Sequence, residues 1–307
     1  MRVDSRAARG GRVLVTGATG FVGRGALAPL LAAGHEVHAV SSSPPPAWSP
    51  SAVTWHRADL LASAAVVQEV APTQLLHFAW DAEPGRFWTS EANLRWLEAS
   101  LRLLRAFAAA GGERAVLAGT CAEYAWSDAT HCVEDATPLA PATLYGAAKH
   151  ALHVVAAAHA RQHGYALAWG RIFFVFGPRE DERRLGGSVA AALAAGRAAE
   201  TSPGEQVRDF LYAPELAEAF VALLGSGVVG AVNVASGRPV ALRELICALG
   251  EAAGRPELVG LGARPAKASE PASLTADVSR LRDEVGWTPT RSLSEAARET
   301  MRWWMAR

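Results

Sequence analysis

Hydrophobic and polar positions along the first half of the chain follow a repeating pattern of strands and helices. Short strand-like runs occupy residues 12–16, 36–40, 54–57, 74–80, 114–118 and 168–172, and longer runs with a helical period occupy residues 24–33, 91–110 and 146–162. Strands that alternate with helices over short links pair in parallel. The pattern therefore predicts an α/β fold with a doubly wound parallel sheet, which binds ligands at the carboxyl ends of its strands.

The second half of the chain follows a different pattern. Helices are predicted near residues 187–195, 214–224, 242–253 and 293–304, and the charged loop at 177–184 is either a lid or a solvated surface. We therefore divide the chain into a flexible lead at residues 1–11, a cofactor-binding domain at 12–172 and a smaller substrate-binding domain at 173–307. Some segments of the last domain are expected to return to the main sheet, with ligands in the cleft between the domains.

Composition and charge narrow the classes of partner. The 307 residues include 30 basic and 30 acidic side chains, so no charge excess favours nucleic acid or an anionic membrane. No apolar run has membrane length and no apolar signal-peptide core follows Met1, which predicts a soluble cytoplasmic protein. Three cysteines and nine scattered histidines show no paired ligand spacing, so we expect neither a disulfide framework nor a metal site.

The first strand is followed by a glycine-rich turn and a helix. The residues of this turn that are predicted to contact the cofactor are Gly17, Thr19, Gly20, Phe21, Val22 and Gly23. Glycines let the backbone approach a pyrophosphate, which rests on the helix N-terminus. Because the turn stands between its strand and its helix, we favour a dinucleotide site over a plain turn.

The end of the second strand bears on the choice of cofactor. An acidic residue there usually binds the ribose 2′-hydroxyl and would repel a 2′-phosphate, but this chain has Ser41 and Ser42. Arg24, next to the third glycine, is a candidate cation for that phosphate, with an exposed helix arginine as the alternative. The sequence therefore favours NADP(H), and NAD(H) is the alternative cofactor.

Further cofactor contacts are predicted after the next strands. Asp59 and Leu60 follow the third strand and would lie near the adenine, although a solvated loop aspartate is an equal interpretation. Phe78, Ala79 and Trp80 end the fourth strand, where the small Ala79 allows a close approach. Asn93 begins the following helix and either orders this region or contacts the cofactor.

A tyrosine just before the predicted helix at 146–162 and a lysine within that helix are expected to share one helix face. Tyr145 and Lys149 are four residues apart, so the ammonium is expected near the phenol, where it would lower the tyrosine pKa. Thr120 follows the fifth strand and would bond a substrate oxygen beside Tyr145. Cys121 next to it is interpreted as a small buried thiol rather than a nucleophile.

Aromatic side chains and a histidine are weaker candidates for the pocket. Trp80, Trp88, Trp126, Phe173 and Phe174 would either stack on a sugar or nucleobase or belong to the core. His131 lies between Thr120 and Tyr145 and would be able to reach a sugar.

These motifs together resemble the extended short-chain dehydrogenase/reductase family, in its nucleotide-sugar epimerase, dehydratase and ketoreductase branch. The matching elements are Thr16 to Gly23, Asp59-Leu60, His77 to Ala79, Thr120 four residues before Tyr124, Tyr145-x-x-x-Lys149, Arg208-Asp209-Phe210 and Glu284 to Pro289. The resemblance covers nearly the whole chain from Arg12.

The resemblance implies a Rossmann-type fold, a nucleotide-sugar substrate and a set of roles. Thr120, Tyr145 and Lys149 would be the catalytic trio, and Tyr145 and Lys149 would also contact the cofactor. Arg208 would bind the substrate pyrophosphate, with a surface salt bridge to Asp209 as the alternative. The family also suggests a homodimer through the helices near 94–110 and 146–162.

Departures from the family pattern narrow the reaction. Dehydratases carry Asp-Glu where this chain has Cys121-Ala122, and Glu123 comes one place too late. Epimerase-reductases that make GDP-fucose carry a cysteine where Ala122 stands. Thr120, Cys121, Ala122 and Arg208 are the predicted substrate contacts.

Of the reactions in this family, simple hydride transfer therefore remains. The serines at the end of the second strand favour NADP(H) and therefore net ketoreduction. The runs from Gly119 to Tyr124 and from Pro141 to Gly146 resemble a subgroup of NADPH-dependent 4-ketoreductases, and this resemblance implies a nucleotide-linked 4-keto-6-deoxyhexose as substrate, in deoxysugar biosynthesis. A 4-epimerase with tightly bound NAD is the alternative, and a sensor that binds NADP(H) without chemistry is a remote one.

Overall fold

A seven-stranded parallel sheet forms the centre of the computed structural model, which describes residues 10–127, 129–266 and 271–307. Its strands are β1 Arg12–Thr16, β2 Glu36–Ser41, β3 Thr54–Arg57, β4 Gln74–His77, β5 Arg114–Thr120, β7 Ala166–Ile172 and β11 Gly230–Val234. They lie in the order β11, β7, β5, β4, β1, β2, β3, and every pair is parallel. The predicted doubly wound α/β fold is confirmed. Residues 1–9 of the predicted lead lie outside the described residues.

Helices cover both faces of this sheet. They are α1 Gly23–Ala32, α2 Val66–Val70, α3 Ala92–Ala109, α4 Leu144–His163 and α6 Ala213–Gly225. In one core, strand side chains pack against Leu27 of α1 and Phe220 of α6. In the other core, strand side chains pack against Phe107 of α3 and Leu152 of α4. Each such buried side chain contributes about 1.5–3 kcal/mol.

Local chemistry fixes both ends of α4, the helix that carries the tyrosine and lysine. Thr143 precedes the helix in an extended conformation, and its side chain accepts a hydrogen bond from Gly146 N at 3.1 Å. Gly164 ends the helix in the left-handed region at φ +76°. The helix therefore begins one residue before Tyr145, which lies in its first turn.

A second sheet belongs mainly to the C-terminal half. Its strands are β6 Ala129–Cys132, β8 Phe174–Phe176, β10 Val207–Tyr212, β12 Pro239–Ala241 and β14 Ser273–Ala276, and a small pair joins β9 Ala199–Glu200 to β13 Val259–Gly260. The helices α5 Leu185–Ala194, α7 Leu242–Ala252 and α8 Leu293–Met305 pack into a third core with side chains such as Ile246 and Met301. The sequence pattern did not predict β6, because this short strand has no apolar run of its own.

The two halves are joined through the large sheet. Strand β11 pairs with β7, and α6 packs against α1, so segments from beyond residue 172 lie in and against the main sheet. The buried Arg114 side chain donates to Leu223 O at 2.6 Å and Leu224 O at 2.7 Å, which satisfies C-terminal carbonyls of α6. The domain boundary at residue 172 stays a prediction.

None of the helices within the described residues is both long and apolar enough to cross a lipid bilayer.

Candidate active site

The glycine-rich turn connects the carboxyl end of β1 to the N-terminus of α1. Gly17 has a φ of +68°, and a Cβ there would lie 2.7 Å from Ala79 N, so only glycine fits against the end of β4. A Cβ on Gly23 would lie 2.3 Å from Gly17 O, which requires glycine for a second reason. The turn is therefore held close to the sheet, with Thr19 and Gly20 exposed at its outer side.

The start of α1 fits an anionic cofactor. Val22 makes no side-chain cap and the first turn has no acidic residue, so the positive end of the helix is not neutralised by its own first turn. Phe21 and Val22 are half-buried beside it. A dinucleotide pyrophosphate would rest on these backbone N–H groups.

The predicted adenosine contacts lie together at the ends of β2 and β3. Ser41 is buried, and its Oγ accepts a hydrogen bond from Ser43 N at 3.1 Å, while Ser42 is exposed. Asp59 is exposed and its Oδ1 accepts from Leu61 N at 2.9 Å, whereas Leu60 is buried. Ser42 and Asp59 are thus the members of this group that solvent or a ligand reaches.

The end of β4 joins this region to the glycine turn. Phe78 N donates to Thr16 O at 3.1 Å, and Ala79 N lies 3.4 Å from Thr16 Oγ1. Phe78 packs edge to face on Phe220, and Ala79 is buried. These contacts position the backbone that the sequence predicts to border the cofactor.

Asn93 organises the loop after β4. Its Oδ1 accepts from Trp80 Nε1 at 2.9 Å, and its Nδ2 donates to Phe87 O at 2.7 Å and Ser90 O at 2.9 Å. The side chain is buried and these bonds lie within the protein. Of the two roles that the sequence allowed, the structure supports ordering of the site rather than cofactor contact.

Thr120 and Tyr145 come together at the carboxyl end of β5. Thr120 Oγ1 accepts from Ala122 N at 3.2 Å, which caps the short helical turn Cys121–Glu123. The Thr120 side chain lies close enough to the Tyr145 phenol to lower its pKa. Tyr145 N also donates to Trp88 O at 3.1 Å, so the loop after β4 holds the start of α4.

Aromatic rings surround the Tyr145 phenol. Phe87 lies 4.9 Å from the tyrosine ring, Trp88 lies 5.8 Å away and Trp80 lies 6.4 Å away, measured between ring centres. Burial raises the pKa of Tyr145 to about 12, although the nearby Thr120 side chain lowers it in part. The expectation that Lys149 lowers this pKa was wrong for the structure described, because burial raises the pKa and the positive charge that lowers it in part is that of Arg184.

The Lys149 ammonium bonds the backbone of β5 rather than the Tyr145 phenol. Its Nζ donates to Ala118 O at 2.9 Å and lies 3.9 Å from the centre of the Trp80 ring. Burial lowers the pKa of Lys149 to about 7, against the opposing charge of Glu123. The ammonium is therefore easily deprotonated near neutral pH.

Glu123 is an important residue whose structural role the sequence did not predict. Its carboxylate is fully buried, with Oε1 accepting from Thr120 N at 2.9 Å and Trp169 Nε1 at 2.8 Å, and Oε2 accepting from Arg171 Nε at 3.1 Å. Arg171 is only 1% exposed and also donates to Tyr124 Oη at 2.9 Å. Glu123 therefore holds the backbone of Thr120 through Oε1, and the ion pair with Arg171 occupies Oε2.

Cys121, Ala122 and Arg208 border the site from the other side. Cys121 and Ala122 are buried, and burial raises the pKa of Cys121 well above its ordinary value, so the side chain is a neutral thiol. Arg208 is buried close enough to influence Cys121, and it donates to Val207 O and Pro271 O, each at 2.9 Å. Asp209 instead accepts from Ser236 Oγ at 2.6 Å, so a surface salt bridge between Arg208 and Asp209 is wrong.

Two loops meet over the cleft. Arg183, after β8, pairs with Glu83, after β4, at 3.0 Å, and Arg184 Nη2 donates to Ala82 O at 3.1 Å. The charge of Arg184 also lowers the pKa of Tyr145. The sequence left this charged loop as either a lid or a solvated surface, and its bonds across the cleft support the first interpretation. No local sequence signal placed Arg184 near Tyr145.

The remaining aromatic candidates and His131 lie in different parts of the structure. Trp88 and Trp126 are partly exposed and meet edge to face near Tyr145, while Phe173 is buried in a small core cluster with Phe174 packed against it. His131 Nδ1 bonds Thr275 Oγ1 at 3.0 Å in the second sheet. The structure therefore leaves Trp88 and Trp126 as the aromatic groups open to a ligand.

One trio of potential metal ligands exists within the described part of the chain. Glu123, His150 and His153 have ligand atoms within 4.8 Å of one another. The Glu123 carboxylate is already bonded to Trp169 and Arg171, and the arginine charge opposes a second cation. This donor set does not fit a metal ion.

The sequence profile of the NAD dependent epimerase/dehydratase family matches residues 13–235. The chain belongs to this family. It is therefore an NAD(P)-dependent enzyme of the extended short-chain dehydrogenase/reductase type, with nucleotide-sugar epimerase, dehydratase or dehydrogenase activity.

Two relatives match nearly the whole length of this chain. A dTDP-6-deoxy-L-talose 4-dehydrogenase (NAD(P)(+)) of Kitasatospora kifunensis is 32% identical and matches 94% of each chain. A UDP-glucose 4-epimerase of Corynebacterium glutamicum is 28% identical and matches 91% of each chain.

Solved structures agree on the fold. A UDP-N-acetylglucosamine 4-epimerase from Methanobrevibacter ruminantium has a TM-score of 0.85 at 22% identity, with 97% of this chain and 99% of that chain covered. The Thermus thermophilus UDP-glucose 4-epimerase in complex with NAD has a TM-score of 0.80 at 28% identity, with 95% of this chain and 98% of that chain covered.

Proposed function

We propose that this enzyme uses NADPH to reduce the 4-keto group of a nucleotide-linked 4-keto-6-deoxyhexose, a step in deoxysugar biosynthesis. The observation that carries the proposal is the arrangement around Tyr145. The Thr120 side chain lies beside the phenol, Lys149 lies beneath the same end of β5, and the two positions after Thr120 hold Cys121 and Ala122. This arrangement supplies a proton donor without the carboxylates that elimination of water would require.

The protonation state of Tyr145 suits a reduction. With a pKa near 12 the phenol keeps its proton at neutral pH, so it is ready to give it to the oxygen of a ketone. Thr120 would bind the same oxygen and fix its distance from the phenol. The bound cofactor supplies the hydride.

Lys149 would change partner when the site is filled. Its Nζ bonds a backbone carbonyl, Ala118 O, and the side chain is long enough to turn toward a ribose hydroxyl and the phenol. A protonated Lys149 would then stabilise the phenolate that remains after proton transfer. Its cation–π contact with Trp80 holds the ammonium in the site until then.

The sugar and its diphosphate would enter between the two halves of the chain. The buried Arg208 would bind the diphosphate, because a guanidinium matches phosphate oxygens in a fork. Trp88 and Trp126 offer partly exposed rings near Tyr145, and such rings suit the apolar face and methyl group of a deoxyhexose. The Kitasatospora relative, named for oxidoreduction at C4 of a 6-deoxyhexose, supports this substrate class.

A 4-epimerase with tightly bound NAD is the second candidate. Several relatives at 26–28% identity are UDP-glucose 4-epimerases, and the same Thr120, Tyr145 and Lys149 would serve that reaction. An epimerase must both remove and return the hydroxyl proton, so a phenol with a raised pKa favours it less.

The deciding experiment follows NADPH oxidation by absorbance with dTDP-, GDP- and CDP-linked 4-keto-6-deoxyhexoses. Tyr145→Phe should lose roughly a hundredfold to ten-thousandfold in turnover because it cannot donate the proton. Tyr165→Phe is the matched control, since Tyr165 bonds His159 outside the site. NAD that copurifies with the protein, combined with no NADPH oxidation on any substrate, would reject ketoreduction in favour of epimerisation.

We also propose that the enzyme is a homodimer through α3 and α4. These helices pack on each other and expose Leu94, Val154 and Val155, with Val154 54% exposed. An apolar face of this kind is normally covered by another surface, and a second copy would place the same two helices against it. Val154→Glu should give a monomer by sedimentation, whereas Val229→Glu, at an equally exposed valine elsewhere, should not. A wild-type protein that sediments as a monomer would overturn this proposal.

A further inference from the structure

The ring of Phe87 contacts two residues that come from different halves of the chain. Its centre is 4.9 Å from the centre of the Tyr145 ring, and the two ring planes meet at 87°. Its centre is also 5.8 Å from the guanidinium carbon of Arg184, within the range of a cation–π contact. Tyr145 lies in the first turn of α4, whereas Arg184 immediately precedes α5. Phe87 therefore connects the tyrosine to the charged loop after β8.

The backbone around Phe87 is held from the side of the large sheet. Asn93 Nδ2 donates to Phe87 O at 2.7 Å, and the carbonyl of the next residue, Trp88, accepts from Tyr145 N at 3.1 Å. Edge-to-face rings also have a preferred mutual geometry. With its backbone held in this way, the Phe87 ring has few orientations, and its contact restricts the orientation of the phenol in turn.

The charged loop is bonded to the same segment from across the cleft. Arg184 Nη2 donates to Ala82 O at 3.1 Å, and Arg183 pairs with Glu83 at 3.0 Å. These two bonds hold the Arg184 guanidinium beside the Phe87 ring. The contact between the loops and the position of the ring are therefore linked.

Packing of an apolar core does not account for this ring. Phe87 is half-buried, and it belongs to none of the four apolar clusters that the described residues form. The guanidinium beside it is close enough to the phenol that its charge lowers the pKa of Tyr145, although burial raises that pKa more. The surroundings of Phe87 thus belong to the site rather than to the core.

We propose that Phe87 is a positioning residue for the Tyr145 phenol, and that Arg184 holds Phe87 in place when the two loops are joined. The inference rests on the role of Tyr145 in the proposed function. Proton transfer requires the phenol within hydrogen-bond reach of the substrate oxygen, and a displacement of about 1 Å costs roughly a hundredfold in rate. Turnover would then depend on contact between the loops as well as on the residues that touch the sugar.

A double-mutant cycle tests this link. The value of kcat, the KM for the sugar and the affinity for NADPH are measured for Phe87→Leu, Arg184→Gln and the double variant in the NADPH oxidation assay. Phe87→Leu keeps an apolar side chain without a ring and should lower kcat about tenfold to a hundredfold, with KM and NADPH affinity within about threefold of wild type. Arg184→Gln should lower kcat about twofold to tenfold, the value of a cation–π contact. The double variant should be no slower than Phe87→Leu, because Arg184 acts through the ring.

A conservative variant and a matched pair of controls complete the design. Phe87→Tyr keeps the ring and should keep most of the wild-type kcat. Trp303→Leu and Arg307→Gln alter a similar pair, since the Arg307 guanidinium carbon lies 4.8 Å from the centre of the Trp303 ring, which packs against the third core. Neither control should change kcat, KM or NADPH affinity.

The outcomes separate this inference from the proposed function. Losses that multiply in the double variant would overturn the link between Arg184 and Phe87. An equal loss of kcat, sugar affinity and NADPH affinity in Phe87→Leu would overturn the positioning role, because it would show that the loop has loosened as a whole. A wild-type protein that epimerises instead would reject ketoreduction, and the same cycle on epimerisation would still decide the role of Phe87, since Tyr145 carries the proton in both reactions. A protein that performs neither reaction would overturn both proposals.

Discussion

Removal of the Glu123 carboxylate tests whether this residue stabilises the fold or takes part in catalysis. Glu123 and Arg171 are 0% and 1% exposed, and Glu123 also accepts hydrogen bonds from Thr120 N and Trp169 Nε1. Glu123→Gln keeps an oxygen that accepts from these two donors, but it replaces the oxygen opposite Arg171 by an amide NH2, which removes both the charge and the acceptor for Arg171 Nε. The change therefore leaves one guanidinium charge buried without its partner.

The unpaired charge of Arg171 is expected to lower the unfolding free energy. Breaking a buried ion pair on one side destabilises a protein by about 3–5 kcal/mol, out of a total unfolding free energy of about 5–15 kcal/mol. Removing both charges is much less costly, because no uncompensated ion is left in the core. We therefore expect the double variant Glu123→Gln, Arg171→Met to recover at least about 2 kcal/mol of the loss.

Urea unfolding measures these differences, and NADPH oxidation at a temperature where every variant is folded measures turnover. Turnover of Glu123→Gln should stay within about tenfold of wild type, since a lost general acid or base would cost a hundredfold or more. Glu113→Gln, an exposed glutamate before β5, is the control and should change neither quantity.

Two results would refute this reasoning. An unfolding free energy of Glu123→Gln within about 1 kcal/mol of wild type would show that the buried pair is not what holds this region. A stable variant that has lost turnover a hundredfold or more would assign Glu123 to the chemistry, as in a dehydratase.

Further predictions concern the pH dependence and the glycine turn. Burial raises the pKa of Glu180 from 4.5 to about 8, so the folded state keeps a proton that the unfolded chain loses, and stability falls as pH rises between these values. Glu180→Gln should flatten that slope and gain up to about 4 kcal/mol near pH 8 in urea unfolding. Burial lowers the pKa of Lys149 to about 7, so NADPH affinity by fluorescence titration should fall as pH rises through that value, and Lys149→Met should abolish the dependence. Gly17→Ala places a Cβ 2.7 Å from Ala79 N at φ +68°, and we expect a loss of about 1–3 kcal/mol in unfolding free energy together with weaker NADPH binding.

The parts of the fold that the sequence predicted have local causes. The strand, glycine turn and helix from Arg12 to Ala32 were predicted within a residue or two, because hydrophobic period and glycine chemistry act over a few neighbours. Strand β6 was missed because its partner is β14, more than a hundred residues away, and nothing in Ala129–Cys132 alone signals the pairing. The predicted fifth strand was too short, since β5 continues to Thr120 inside the sheet.

The candidate site shows the same limit. Spacing alone brought Tyr145 and Lys149 to one end of α4, and the structure places Thr120 beside the tyrosine. The direction of the tyrosine pKa could not be predicted, because the rings that bury it come from the loop after β4. Arg171 was missed for a related reason, because the register of β7 with β5, rather than sequence proximity, brings it to Glu123.

The position of β11 has a consequence for any attempt to shorten or recombine this enzyme. This edge strand of the large sheet comes from beyond residue 172 and pairs with β7 from Ala168 to Ile172. A fragment that stopped after β7 would carry the glycine turn and the tyrosine, yet it would present an open row of amides and carbonyls, and the core under α6 would be bare. Such a fragment is expected to associate with other copies of itself, so cofactor-binding and sugar-binding halves from different relatives can be exchanged only if β11 and α6 travel with the first half.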